Sequence, residues 1–265
     1  MRQVLTVQDL SCLGKCSLTV ALPVLSAMGC SCSVLPTAVL STHTAFPAPH
    51  VRDLTGDMEP IMQHWQRIGA GFDAILVGYL SDPAQVQAVE TLWSGFDALR
   101  ILDPAMGDHG KLYSRITDTH VAALRQLCKK ADLLIPNVTE ACLLTGTPYR
   151  DSFTEAEYLQ LIRALGCKQV VLTGVSLSPG KTGFMTQDGF IYQADILPGK
   201  YHGTGDLFAA VFAGGLARGK TGSEAARLAA DFTLSCMEHT FQKTAQPYGI
   251  IFEPLLGELM AALNP

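Results

Sequence analysis

Short apolar segments alternate along this chain with longer segments whose apolar residues recur at helical spacing. The short segments are rich in Val, Ile and Leu, as in VLTVQD (4–9), DAILVGY (73–79) and KQVVLTG (168–174). Apolar strands that alternate with helices are typical of a mainly parallel sheet covered by helices on both faces. The pattern therefore predicts an α/β fold, and 265 residues without a repeat or obvious linker predict one domain over 1–265.

Local signals refine the boundaries of several elements. Thr154 with Glu157, and Thr221 with Glu224, have the spacing of capping boxes, so a helix is predicted after each. The polar segment 41–55 is interrupted by proline and predicts a mobile loop that covers a site.

Composition and charge exclude several classes of protein. The net charge is −5 with 16% charged residues, which argues against a nucleic-acid-binding surface. No apolar run reaches the roughly 18 residues of a membrane span, and no signal peptide is recognisable at the start. The eight cysteines form no CxxC pair, so we expect reduced thiols in a cytoplasmic protein without a membrane or nucleic-acid partner.

Polar residues follow five of the apolar segments, at the point where each predicted strand ends. These residues are Asp9, Tyr79, Asp103, Asn137 and Thr173. In an open parallel sheet, ligands bind beyond the carboxyl ends of the strands. Each residue alone is as well explained as a helix cap or turn former, but five in one layer predict a ligand site.

The segment PNVTEA places Asn137 and Glu140 three residues apart at a predicted helix start. Together with Asp103 they offer oxygen ligands that suit a hydrated Mg²⁺ ion. The alternative is that Asn137 caps the helix while Glu140 is a surface acid.

The segment YHGTGDLFAA (201–210) places one carboxylate where a glycine turn becomes an apolar helix. Glycines allow close approach of a ligand, and a helix N-terminus presents unpaired N–H groups to an anion. Gly203, Thr204 and Gly205 would then bind a transferring phosphoryl group, with Asp206 beside the attacking hydroxyl. The alternative is that Asp206 only caps the helix.

Two familiar nucleotide motifs are absent from the chain. GVSLSPGKT (174–182) has five residues where a P-loop has four, and GFMTQ and FIYQA, joined by Asp188-Gly189, predict a hairpin rather than a helix after it. No GxGxxG fingerprint follows the first predicted strand, which argues against a nicotinamide dehydrogenase.

The chain resembles the ribokinase superfamily and, within it, the pyridoxal kinases. The matching motifs keep their order over most of the sequence: VQDLSCLG (7–14), STHT (41–44), GYL (78–80), LDPAMGD (102–108), PNVTEACLLTG (136–146), VLTG (171–174) and GTGDLFAA (203–210). GTGD indicates only the superfamily, whereas STHT, GYL and DPAMG together indicate vitamin B6 kinases. The resemblance implies a ribokinase-like three-layer α/β/α sandwich with a mainly parallel central sheet.

The resemblance also implies an activity, which is transfer of the ATP γ-phosphate to the 5′-hydroxymethyl group of pyridoxal, pyridoxamine or pyridoxine. Asp206 would be the general base and Gly203-Thr204-Gly205 the anion hole. The implied substrate-binding residues are Asp9, His43, Thr44 and Tyr79, and the implied ATP-binding residues are Asp103, Asn137, Glu140, Thr173 and Lys181. Asp103 and Glu140 would hold Mg²⁺, partly through water, and segment 176–189 would form a loop or hairpin on the nucleotide side.

One departure bears on substrate preference, because many pyridoxal kinases have serine where this chain has Asp9. A carboxylate there would favour a protonated ring nitrogen or the amine of pyridoxamine. The rival functions are a hydroxymethylpyrimidine kinase of thiamine synthesis and a non-catalytic B6-binding protein. Family likeness implies a homodimer.

Overall fold

The computed structural model describes residues 1–243 and 248–263 of the chain. Its strands, in chain order, are β1 (Gln3–Ser11), β2 (Ser31–Leu40), β3 (Val51–Asp53), β4 (Ala74–Val77), β5 (Leu99–Leu102), β6 (Gly107–Asp108), β7 (Lys111–Leu112), β8 (Leu133–Leu134), β9 (Gln169–Val175), β10 (Lys181–Thr186) and β11 (Ile191–Asp195). Its α-helices are α1 (Leu18–Ala27), α2 (Thr55–Arg67), α3 (Ala84–Gly95), α4 (Asp118–Cys128), α5 (Val138–Thr145), α6 (Glu155–Ala164), α7 (Thr204–Ala217), α8 (Gly222–Phe241) and α9 (Leu256–Leu263).

Nine of the strands form one sheet in the order β11-β10-β9-β8-β5-β4-β1-β2-β3. The pairs from β9 through β8, β5, β4 and β1 to β2 are parallel. Antiparallel strands close both edges, β10 and β11 on one side and β3 on the other. The predicted mainly parallel sheet is therefore confirmed, and the carboxyl ends of its central strands all lie on the same side of the molecule.

Helices cover both faces of this sheet, because the alternating side chains of each strand enter two separate cores. In β4, Ile75 and Val77 belong to the core beneath α2 to α6, whereas Ala74 and Leu76 belong to the core beneath α1, α7, α8 and α9. All four side chains are buried. This arrangement confirms the predicted three-layer α/β/α sandwich.

The helix and hairpin signals give the elements that were expected. Thr154 and Thr221 are both N-caps within capping boxes, at the starts of α6 and α8. β10 and β11 form the predicted hairpin, with Lys181 opposite Asp195 at its open end. In the described parts of the chain, no helix has both the length and the apolar character needed to cross a membrane.

The segment 41–55 differs from its prediction as one long loop. Residues 41–50 form a loop, but Val51–Asp53 is the edge strand β3, which pairs antiparallel with β2, and α2 begins at Thr55. A three-residue strand with two polar residues has too little alternation to be recognised in the sequence. The two-residue strands β6 and β7 escaped prediction for the same reason.

Candidate active site

The glycine turn before α7 has the geometry of an anion-binding helix start. Gly203 is the N-cap with φ 83°, and a Cβ there would lie 2.4 Å from the carbonyl oxygen of Lys15, so only glycine fits. The first N–H to bond within this turn is that of Leu207, which donates to the Gly203 carbonyl at 2.9 Å. The amides of Thr204 and Gly205 therefore precede the helical ladder and are available to an anion. Among residues 1–243 and 248–263, a Cβ on Gly205 would meet no atom within 4 Å beyond its own turn of helix, which leaves room for a ligand.

Asp206, the third residue of α7, is half-buried and has donors of its own. Cys16 Sγ donates to Asp206 Oδ2 at 3.2 Å, and the backbone N–H of Ser17 also hydrogen-bonds to this carboxylate. Burial raises the pKa of Asp206, while the Ser17 and Cys16 bonds and the nearby His43 oppose that rise. Asp206 thus lies in the first turn of α7 with its carboxylate held by two donors, and the N-cap of this helix is Gly203.

Asp9 lies beside Asp206 but is more deeply buried, with 4% of its surface exposed. Ser17 Oγ donates to Asp9 Oδ1 at 2.6 Å, and Ser11 Oγ donates to Oδ2 at 3.0 Å. Burial raises the pKa of Asp9 to about 6, and the charge of Asp206 adds to that rise against the lowering by Ser17. Both oxygens thus have protein partners, and contact between Asp9 and a substrate ring stays a prediction.

Asn137 and Glu140 form a capping box at the start of α5. Asn137 Oδ1 accepts the N–H of Glu140 at 2.9 Å, and Glu140 Oε2 accepts the N–H of Asn137 at 2.8 Å. Glu140 Oε1 accepts the N–H of Met106 at 3.1 Å, and Asn137 Nδ2 donates to the carbonyl of Gly107 at 2.8 Å. The residue pair therefore ties α5 to the segment after β5, and Glu140 is buried rather than on the surface.

Asp103 follows β5, is half-buried, and completes a cluster of acids with Asp206 and Glu140. Burial and the charge of Asp206 raise the pKa of Asp103, and burial and the charge of Asp103 raise the pKa of Glu140. Acids that raise one another's pKa suit a cation. Within residues 1–243 and 248–263, however, no three His, Cys, Asp or Glu side chains form a group that could hold a metal ion by themselves. A cation bound here would therefore need phosphate oxygens or water among its ligands.

The residues predicted to hold the substrate ring lie around the same acids. His43 is 3% exposed, and its ring centroid lies 4.8 Å from that of Phe46 and 5.2 Å from that of His202. Tyr79 follows β4 and is half-buried; burial, with the charge of Asp9, raises its pKa. Thr44 is exposed in the 41–50 loop, next to His43 in sequence.

The two remaining predicted residues lie towards β9 and the β10–β11 hairpin. Thr173 of β9 forms a parallel bridge with Asn137, and its hydroxyl donates to the carbonyl of Pro136 at 3.3 Å. Lys181 Nζ lies 2.8 Å from Asp195 Oδ1, across the hairpin. Thr173 therefore lies directly beside Asn137, whereas the charge of Lys181 is paired with Asp195 of the neighbouring strand.

Cys16, Ser17 and Tyr113 also lie at this site and were not predicted from the sequence. Cys16 and Ser17 contact the two aspartates from the turn before α1, and Tyr113 lies near the acid cluster. Burial raises the pKa of Tyr113, as do the charges of Glu140, Asp108, Asp103 and Asp206. None of the three follows an apolar strand, so the strand-end criterion could not find them.

Comparisons with known proteins agree with this architecture. Residues 22–250 match the family model described as phosphomethylpyrimidine kinase. A pyridoxine/pyridoxal/pyridoxamine kinase of Bordetella bronchiseptica is 30% identical over 260 residues, which cover 89% of this chain and 89% of that protein.

Two crystal structures share the whole fold. Pyridoxal kinase from Lactobacillus plantarum superposes with a TM-score of 0.91 at 35% identity, over 99% of this chain and 98% of that chain. A Bacteroides thetaiotaomicron protein, provisionally assigned as a phosphomethylpyrimidine kinase and crystallised with pyridoxal, gives a TM-score of 0.91 at 36% identity over 100% and 96% of the two chains. The chain therefore belongs to the phosphomethylpyrimidine kinase family of the ribokinase superfamily, in which its relatives include pyridoxal kinases.

Proposed function

We propose that this chain is a vitamin B6 kinase, which transfers the γ-phosphoryl group of ATP to the 5′-hydroxymethyl group of pyridoxal, pyridoxamine and pyridoxine. The substrate class follows from the B. bronchiseptica and L. plantarum kinases and from the B. thetaiotaomicron relative crystallised with pyridoxal. The observation that carries the chemistry is the half-buried Asp206, which directly follows the open amides of Thr204 and Gly205.

Asp206 is proposed to accept the proton of the 5′-hydroxyl group as phosphoryl transfer proceeds. A positioned base contributes about 10²–10⁴-fold to rate. The amides of the glycine turn take up charge on the moving phosphoryl group, and one such donor contributes about 10²–10³-fold. Phosphoryl transfer depends mainly on positioning and charge neutralisation, which this turn supplies from rigid backbone.

We also propose Mg²⁺ as the cofactor, because the acid cluster needs a cation to accept a triphosphate. When bound, the ion neutralises phosphate charge and orients the phosphate oxygens. Asp103 would hold it, and Glu140, whose oxygens accept backbone N–H groups, would act through water. Asn137 and Thr173 would line the nucleotide side, with Lys181 reaching phosphate only if it leaves Asp195.

On the other side of Asp206, His43, Thr44 and Tyr79 are proposed to hold the pyridine ring. His43 and Tyr79 offer flat contact faces close to the acids, and the 41–50 loop that bears His43 is the candidate substrate cover. The 176–180 loop before β10 is the candidate cover of the nucleotide. Closure would exclude water, which otherwise competes for the phosphoryl group.

The test is a product assay with ATP-Mg²⁺ and each vitamer, with Asp206→Asn as the control. We expect multiple-turnover formation of the 5′-phosphate, and a kcat at least about 10²-fold lower in the variant. A wild-type protein that binds pyridoxal without turnover would be a non-catalytic B6-binding protein. Near-normal kcat in Asp206→Asn would overturn the role of the base.

The second candidate is a hydroxymethylpyrimidine kinase, which the match of residues 22–250 to the phosphomethylpyrimidine kinase family favours. The same assay with hydroxymethylpyrimidine separates the two, because a B6 kinase should give a higher kcat/KM with at least one vitamer. We further propose a homodimer, which light scattering would measure, and a cytoplasmic location, with which the eight free thiols agree.

A further inference from the structure

The turn between β1 and α1, residues 14–17, contacts three parts of the site at once. Cys16 and Ser17 hydrogen-bond to Asp206, and the carbonyl oxygen of Lys15 would lie 2.4 Å from a Cβ on Gly203. A Cβ on Gly14 would lie 2.4 Å from His43 Cδ2, so the turn also packs against the 41–50 loop. This turn is thus the common support of the base, the anion hole and the substrate side.

We propose that Cys16 is a positioning residue for Asp206. The Cys16 thiol donates a hydrogen bond that orients the Asp206 carboxylate and keeps it ionised. The inference rests on the proposed function, since it assigns a role within that reaction. Its direct observation is the 3.2 Å separation between Cys16 Sγ and Asp206 Oδ2 in a half-buried environment.

The thiol is the donor in this pair and remains protonated. Burial raises the pKa of Cys16 well above its usual value, and the charges of Asp206 and Asp9 raise it further. A thiolate beside two carboxylates would be repelled by both. The proton therefore stays on Sγ, and the lone pair that accepts it belongs to Asp206.

Ser17 holds this thiol in place through Asp9. Ser17 has φ 50°, a conformation that non-glycine residues rarely adopt, and its hydroxyl lies 2.6 Å from Asp9 Oδ1 and 3.8 Å from Cys16 Sγ. The buried Asp9 therefore holds Ser17 in a strained conformation. The N–H of Ser17 and the thiol of its neighbour Cys16 both hydrogen-bond to Asp206. A chain of contacts from Asp9 through Ser17 and Cys16 ends at the base.

The pH behaviour of Asp206 depends on every charged or titratable group that faces it. From β1, the 14–17 turn, the 41–50 loop, β5 and the segment after β7, these groups are Asp9, Cys16, His43, Asp103 and Tyr113. The side chain of Cys16 donates a hydrogen bond that favours the ionised form of Asp206, and the charge of His43 favours that form as well. Removing that donor should leave the carboxylate protonated up to a higher pH.

The first test compares Cys16→Ala, Cys16→Ser and the control Cys30→Ala by the pH dependence of kcat. Cys30 is a buried thiol that directly precedes β2, so it lies at the amino ends of the strands, whereas the site lies at their carboxyl ends. We expect Cys16→Ala to lower kcat about three- to tenfold and to shift its acidic limb to higher pH, as loss of one modest hydrogen bond predicts. Cys16→Ser, which keeps a hydrogen-bond donor, should recover most of the wild-type kcat and most of the wild-type position of the acidic limb. An unchanged acidic limb in Cys16→Ala overturns the proposal.

The second test needs no catalysis and uses alkylation of Cys16 by iodoacetamide, followed by peptide mass spectrometry. In Asp206→Asn the acceptor charge is absent, so Cys16 should alkylate at a lower pH than in the wild-type protein, whereas Cys30 should not change. The same alkylation midpoint in both proteins overturns the contact. If the midpoint shifts but no vitamer is phosphorylated, the contact stands and the proposed function fails.

Discussion

Asn137 and Glu140 exchange two hydrogen bonds at the start of α5, each side chain accepting the backbone N–H of the other residue. The second carboxylate oxygen of Glu140 accepts the N–H of Met106, which follows β5. The sequence left two interpretations open: both residues belong to a ligand site, or Asn137 caps the helix while Glu140 is a surface acid. The structure makes Asn137 the N-cap and Glu140 its buried partner in the capping box, and the charge of Asp103 acts on Glu140.

Replacement of Glu140 by alanine should therefore lower stability more than the loss of an ordinary cap. The change leaves the N–H groups of the buried Met106 and the half-buried Asn137 without this acceptor, which costs about 2–4 kcal/mol in the free energy of unfolding. Urea denaturation measures the loss. Glu224→Ala is the matched control, because Glu224 completes the same motif with Thr221 on the surface of α8 and should cost about 1 kcal/mol or less. Equal losses would contradict the buried role of Glu140.

Asp103→Asn should separate stability from activity. Desolvation of the half-buried Asp103 and the charge of Asp206 raise the pKa of Asp103, so a neutral isostere relieves both penalties in the free protein. We expect a higher melting temperature at pH 7.5 together with at least a tenfold loss of kcat/KM for ATP-Mg²⁺. A variant that is both less stable and fully active would refute the assignment of Asp103 to the cation side.

The sequence predicted residues of this candidate site where a local pattern marks them, at the ends of apolar strands and at the predicted starts of helices. Asp103, Asn137 and Thr173 were recognised because each ends an apolar strand, and parallel strands bring such ends together. Cys16, Ser17 and Tyr113 lie in turns whose approach to the acids depends on how β1, β7 and α7 pack. Contacts over 190 residues, such as Cys16 with Asp206, arise from tertiary packing and have no local pattern. The same holds for β3, whose pairing with β2 outweighs its polar composition.

Asp9→Asn should change the pH dependence of stability with a predictable sign. Burial raises the pKa of Asp9 from 3.8 to about 6, so the folded state binds more protons than the unfolded state between these values. The free energy of unfolding of the wild-type protein therefore falls as pH rises through this window. The variant lacks that loss, so its stability relative to wild type should rise by up to about 3 kcal/mol between pH 4 and pH 7. Urea denaturation across this range would contradict the prediction if the difference stayed constant.

Asp9→Ser tests the idea that Asp9 selects among the vitamers. Because both carboxylate oxygens already accept hydroxyl donors from Ser11 and Ser17, we expect kcat/KM to fall by a similar factor for pyridoxal, pyridoxamine and pyridoxine. The loss would come from a less firmly held 14–17 turn. A selective loss with pyridoxamine would instead establish a direct contact between Asp9 and the substrate.

Gly203 and Gly205 should respond oppositely to alanine, although they flank the same threonine. Gly203 has φ 83°, and a Cβ added to it would lie 2.4 Å from the carbonyl oxygen of Lys15. Gly203→Ala should therefore lower the free energy of unfolding by about 2 kcal/mol or more. Gly205 lies in the first turn of α7 with open space around its Cβ, so Gly205→Ala should keep or slightly raise stability. Its methyl group would occupy the space assigned to the phosphoryl group, and kcat should fall about tenfold or more. A Gly205→Ala protein with wild-type kcat would mean that the phosphoryl group binds elsewhere.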